Sequence, residues 1–110
     1  MSTETLKVLG QSSPAATTLT PLYTVPGATQ AAASTLIVCN QNSSPQSFRV
    51  SVAVAGAADD PSQYLFFDLT IAGNDTFAAT IGISLGATDV VRVYASATGL
   101  SFSLYGAEVT

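Results

Sequence analysis

Apolar and polar residues alternate along most of this chain, and the alternation is clearest near its middle. Between Tyr64 and Leu85, the residues Leu65, Phe67, Leu69 and Ile71 share one parity, and Phe77, Ala79, Ile81, Ile83 and Leu85 again share one. Successive side chains of a strand point to opposite faces, so each set marks one face of a strand. Ala72-Gly73-Asn74-Asp75-Thr76, between them, is rich in residues that accept turn dihedrals. The pattern predicts a β-hairpin at the centre of a sandwich core, with Leu65 and Phe67 inward and Tyr64 and Phe66 outward.

The same period runs through the remainder. Leu6 and Val8 alternate within residues 1–16, which read as an N-terminal arm or edge strand followed by a connector. Residues 17–110 read as the β-sandwich domain. Leu19 to Val25 holds Pro21 and is followed by Pro26, and proline cannot donate to a ladder, so this strand belongs at an edge. Ser34 to Asn40 is a compact apolar run that fits a central strand. Phe48, Val50, Val52 and Val54 form an inward set against Arg49, Ser51 and Ala53. Val91, Val93 and Ala95 oppose Arg92, Tyr94 and Ser96, and Leu100, Phe102 and Leu104 complete the series. Seven or eight strands, separated by turn signals about every 8–12 residues, predict an all-β fold: a single-domain β-sandwich, jelly-roll-like or immunoglobulin-like. The strand order does not follow from the pattern.

Composition narrows the function. Hydrophobic residues make up 47% of the chain and charged residues only 9%, where an ordinary domain is about 25% charged. A surface this poor in charge suits a subunit covered by neighbours, since interface cores are depleted of charge. Lys7, Arg49 and Arg92 are the only basic residues and the net charge is −4. A nucleic-acid binder needs a basic stripe to displace counterions, so direct DNA or RNA binding is not expected. No apolar run reaches the ~20 residues that span a bilayer, and the first ten residues lack the pattern of a signal peptide. The expected place of synthesis is the cytoplasm. Cys39 is alone and reads as a small buried apolar residue.

Candidate chemistry is sparse. Without histidine there is neither a Ser-His-Asp nor a Cys-His arrangement, and no zinc site with the usual ligands. The sequence holds no phosphate-binding glycine loop. Asp59-Asp60 and Asn74-Asp75 could offer oxygens to calcium but lack a ligand spacing, and they read as solvated turn residues. The expectation is a protein that is not an enzyme, with no cofactor and no metal. The candidate functional residues are therefore surface ones. Tyr64 and Phe66 share a parity opposite Leu65, and Tyr94 and Tyr105 are placed by parity on the same outer surface, near Asp68 and Arg92. Exposed aromatic patches mark partner surfaces, and Tyr and Arg are favoured anchors there. With Leu6 and Val8 as an arm, the expected interface is Leu6, Val8, Tyr64, Phe66, Tyr94 and Tyr105.

Several segments carry a family resemblance: Leu22-Tyr23-Thr24-Val25-Pro26, Leu36-Ile37-Val38-Cys39-Asn40, and Gly73-Asn74-Asp75-Thr76-Phe77 running on through Ile81-Gly82-Ile83 to Thr88-Asp89-Val90-Val91. In their order, with FRV before and VYAS after the third, the chain resembles a family of small virion structural proteins of tailed phages over most of residues 10–108. Pro26-Gly27-Ala28 departs slightly from the expected turn. The resemblance implies a virion building block: a capsid decoration (cement) subunit bound across neighbouring capsid subunits, or a neck, tail or baseplate accessory subunit. Its partners would be the major capsid protein or other virion subunits and copies of itself, as a dimer or trimer. It would be made in the bacterial host cytoplasm and carried in the virion. A carbohydrate- or ligand-binding module is the reading from another class, and the absence of tryptophan weighs against it.

Overall fold

The computed structural model describes residues 3–110, so the first two residues of the N-terminal segment lie outside it. Eight strands form two four-stranded antiparallel sheets. They are β1 (Glu4–Ser12), β2 (Thr20–Thr24), β3 (Gln30–Asn40), β4 (Gln46–Ala53), β5 (Tyr64–Ile71), β6 (Thr76–Leu85), β7 (Val90–Ala95) and β8 (Leu100–Val109). The first sheet has the order β1-β8-β3-β6 and the second β2-β7-β4-β5. That is the jelly-roll order of a double-sheet sandwich; the immunoglobulin order would place the first two strands in one sheet. Every connection except that between β4 and β5 carries the chain from one sheet to the other.

The strands are where the sequence places them, but one pairing is not. The segment 64–85 is not a hairpin and does not lie at the centre. β5 pairs with β4 and β6 with β3, and both are edge strands of different sheets. The turn between them is a corner, fixed by buried Asn40. The Asn40 side-chain amide donates to the carbonyls of Ser44, Ile71 and Ala72 at 3.0, 3.2 and 3.2 Å. Its Oδ1 accepts from the backbone N–H of Asn42 at 3.0 Å. One side chain thus ties the β3–β4 loop to the corner, and satisfies carbonyls there that need a donor.

The core is made by the inward residues of both sheets. Phe48, Val50, Val91, Val93 and Ala95 face Leu36, Val38, Leu100, Phe102 and Leu104, and all ten are buried. Phe48 sits at the hub, with the rings of Phe66, Phe77 and Phe102 at 5.9, 5.4 and 6.0 Å, distances at which aromatic pairs attract beyond their burial.

Phe66 therefore points inward, opposite to its expected direction, and Phe67 points outward and is 60% exposed. The reason is a β-bulge. Phe48 pairs with Leu69 and Val50 with Phe66, so three steps on β5 match two on β4. Asp68 takes up the extra residue at φ +55°, a left-handed conformation that aspartate tolerates better than most residues. Val54, expected inward, is also exposed. β4 ends at Ala53, and the chain turns away through Ala55 and Gly56, both at positive φ. Cys39 is only half-buried, on the outer face of β3 beside Ser101 and Thr76.

Candidate interaction surfaces

The two sheets present different outer faces. On the first sheet, cross-strand rows run Leu6–Ala107–Ala32–Ser84, Val8–Tyr105–Thr35–Thr80 and Gln11–Ser103–Ile37–Ala78. Their neighbours in sequence, such as Leu36, Phe102 and Leu104, are the buried inward residues, so these rows face out. Hydroxyls, alanines and aliphatic groups make up most of this face, with the amide of Gln11 near one margin, and among its described paired residues Glu4, at one end, is the only charged one. Leu6 is 80% exposed and Val8 47% exposed. β1 is an edge strand paired with β8 along its length, and it ends this face with an apolar step.

The second sheet's outer face carries two of the three basic residues and a folded-back loop. Arg49 lies opposite Tyr94 across β4 and β7. Its guanidinium stands 4.1 Å from the centre of the Phe67 ring and 4.4 Å from that of Tyr94, within cation–π range of both. Arg49 Nε also donates to Asp68 Oδ1 at 2.7 Å, and a second guanidinium nitrogen to Oδ2 at 3.2 Å. Through this pair Asp68 raises Arg49 further above the usual arginine range, and Arg49 holds the Asp68 carboxyl below the usual carboxylate range. The bulge that turned Phe67 outward thus also sets the carboxylate against the cation.

Next to this cluster the loop of residues 54–63 folds over the sheet. Arg92 donates to the carbonyls of Ala57 and Gly56 at 2.8 and 3.2 Å. Asp60 accepts the backbone N–H of Ser62 at 3.0 Å and also binds its hydroxyl, and the two bonds lower its pKa. Tyr64 donates its hydroxyl to Asp59 at 2.8 Å, and burial, then this bond, raises its pKa. Ser51 and Ala53, on the outer parity, are buried. Arg49, Asp59, Pro61, Tyr64 and Phe67 line a shallow depression of about 520 Å³. Part of this face is therefore closed by the chain's own loop, and the charge of Arg49 is balanced by Asp68.

The six residues singled out from the sequence fall in three places. Leu6, Val8 and Tyr105 come together on the first sheet, with Val8 directly opposite Tyr105. Tyr64 and Tyr94 lie on the far side of the sandwich, so Tyr105 does not join them in one patch. Phe66 is in the core. The carboxylate Asp68 meets Arg49, not Arg92. Parity misses Phe67, because no period reveals a bulge; an aspartate inside the apolar run Leu65 to Ile71 is the one local sign of it.

Comparison of the chain with protein-family models found no match, and comparison with curated proteins found none. Among the described residues, no helix is long and apolar enough to cross a membrane, and no three His, Cys, Asp or Glu side chains gather as a metal-binding group.

Proposed function

We propose that this protein is a structural subunit of a tailed-phage virion, a capsid decoration (cement) protein that sits across neighbouring capsid subunits and holds the shell together. The resemblance of the quoted segments to small virion proteins supports this reading, and so does a jelly-roll sandwich with an almost charge-free outer face. The observation that carries it is the apolar row Leu6, Val8 and Tyr105 at the margin of that face. Covering such a row with a second protein gains about 25 cal/mol per Å² of apolar area, and no charge has to be stripped of water to do it. Many copies on one shell add their contacts, so each can be weak.

The double variant Leu6→Asp/Val8→Asp tests the reading. Both side chains are exposed and make no core contact, so thermal unfolding should stay within a few degrees of the parent. Incorporation into particles, read by quantitative gel analysis of purified virions, should fall about tenfold or more. Electron microscopy of particles carrying tagged protein should place label over the shell. Label confined to the tail would move the assignment to a neck, tail or baseplate subunit. Particles free of label would end it.

A further inference from the structure

We infer that β6 is the strand through which two copies of this chain pair, edge to edge and antiparallel, extending the first sheet continuously from one copy into the other. The inference does not rest on the virion reading, and association in free solution tests it apart from any particle.

Four strands lie at sheet edges, and three of them carry features that discourage pairing with another chain. β2 contains Pro21. β1 carries Glu4 and Lys7 and a bulge between Val8 and Gly10. β5 is bent by the bulge at Asp68, whose carboxylate stands on the strand. β6 is different: its ten residues, TFAATIGISL, include no proline and no charge, and its bulge at Ile81 and Gly82 leaves Thr76 to Thr80 regular. One side of this strand pairs with β3, and the other ends the sheet. Its inward side chains Phe77, Ile81 and Ile83 pack on the core yet stay half-open at the edge, whereas Leu36, Val38, Phe102 and Leu104 one or two strands further in are closed to solvent.

The occupant that fits is a second copy. Antiparallel pairing about Ala78 sets Thr76 opposite the second copy's Thr80, and Phe77 opposite the second copy's Ala79. Threonine pairs stabilise neighbouring strands, and a large ring beside a methyl group fills the inward layer without collision. The chain is acidic overall, so two copies repel wherever carboxylates meet. Here the two Asp75 residues lie at opposite ends of the ladder, each facing the second copy's Ile81. Such a pair is the isologous contact of a twofold dimer. The ladder is short, because Ile81 and Gly82 together oppose Ser34 in a bulge and Gly82 sits at φ +57°. Association through β6 is therefore weak and concentration-dependent.

Sedimentation equilibrium of the full chain over a wide range of concentration should show a reversible monomer–dimer equilibrium. Lysine at a sheet edge opposes pairing, so Ala78→Lys and Thr80→Lys, both outward-facing, should each weaken the dimer about tenfold or more. Thr24→Lys, on the exposed side of β2, should leave it unchanged. Circular dichroism melts confirm that each variant is folded. A chain that stays monomeric throughout, lysine variants of β6 that dimerise as the parent does, or a Thr24→Lys variant that dissociates equally would each overturn the assignment.

Discussion

The two long margins of this sandwich are built in opposite ways. Along one, β1 and β2 bring the sheets into contact. Leu9, Leu22 and Tyr23 are buried there, and Gly10 lies so close to the backbone of Leu22 that a Cβ would overlap its carbonyl oxygen. Tyr23 reaches across to donate its hydroxyl to Glu108 at 2.6 Å, and Lys7 adds an ion pair to Glu108 at 3.3 Å. Along the other margin, β5 and β6 do not close. Phe66 and Phe77 span the gap with ring centres 5.4 Å apart, and the backbone is fixed at the corner, by Asn40. Contact between β1 and β2 hinders a further strand at the first margin, whereas the second, pinned only at its corner, leaves the free side of β6 open. On the β6 pairing inferred above, self-association belongs at the open side, and the contrast between the margins can be attacked from either side.

The largest effect is expected at the pin. Asn40→Ala deletes the three donor contacts to Ser44, Ile71 and Ala72 and the acceptor for Asn42. The Ile71 carbonyl is left buried, and those of Ser44 and Ala72 lie closer to solvent. Leaving buried polar groups unpaired costs about 1–3 kcal/mol each where water cannot replace the partner, and partial rescue by solvent brings the sum to about 4 kcal/mol. Urea unfolding should read this as a lower midpoint. A loss below about 1 kcal/mol would show that the corner is held by something else.

Next comes a pair of glycines that separates the margins directly. Gly10→Ala at the joined margin meets backbone, which cannot yield as a side chain can, and should cost about 3 kcal/mol. Gly82→Ala at the open margin meets nothing within 4 Å, and its cost is that of the left-handed backbone alone, about 1 kcal/mol. Equal losses for the two would remove the distinction.

Phe66 and Phe67 provide a smaller but sharper contrast. Phe66→Ala opens a gap beside Phe48 and Phe77 and should cost about 2 kcal/mol, less than a fully enclosed ring because the margin is half-open. Phe67→Ala removes an exposed ring over Arg49 and should cost under about 1 kcal/mol. The alternation read from sequence gives the reverse order, so this pair also tests the bulge.

The same two residues show how far the sequence can be read. Inward sets such as Val91, Val93 and Ala95, or Leu100, Phe102 and Leu104, are legible because each strand runs straight between turns and its partners bury one face. Pro21 within β2 and Pro26 just beyond it likewise announce an edge. What periodicity does not hold is any extra residue that resets it, as at Asp68, or any information about which strand lies beside which. Gly73-Asn74-Asp75 looks the same whether it closes a hairpin or turns a corner between sheets; the deciding contact, from Asn40, comes from more than thirty residues upstream. For the surfaces, parity brings Leu6, Val8 and Tyr105 out correctly but cannot say that Tyr64 and Tyr94 belong to the opposite sheet.

The smallest effect concerns the pH response of the joined margin. The hydroxyl of Tyr23, then the ammonium of Lys7, stabilises the Glu108 carboxylate and lowers its pKa. A carboxyl lowered on folding contributes stability that is present above the unfolded value of about 4.3 and is lost as pH falls through the folded value. Burial, then the bond to Glu108, pushes the Tyr23 phenol far above its ordinary range. A phenol raised on folding contributes stability that is complete below about pH 10 and is lost at higher pH, where the unfolded chain ionises and the folded one resists. The parent protein should therefore lose melting temperature at both extremes. Tyr23→Phe keeps the ring in place and removes the hydroxyl. Its acid-side loss should be shallower, because Glu108 then has only Lys7 to favour its charge. Its alkaline loss should shrink without vanishing, because Tyr64 is raised as well. Melting curves for parent and variant that run parallel from acid to alkali would show that Tyr23 closes this margin by packing alone.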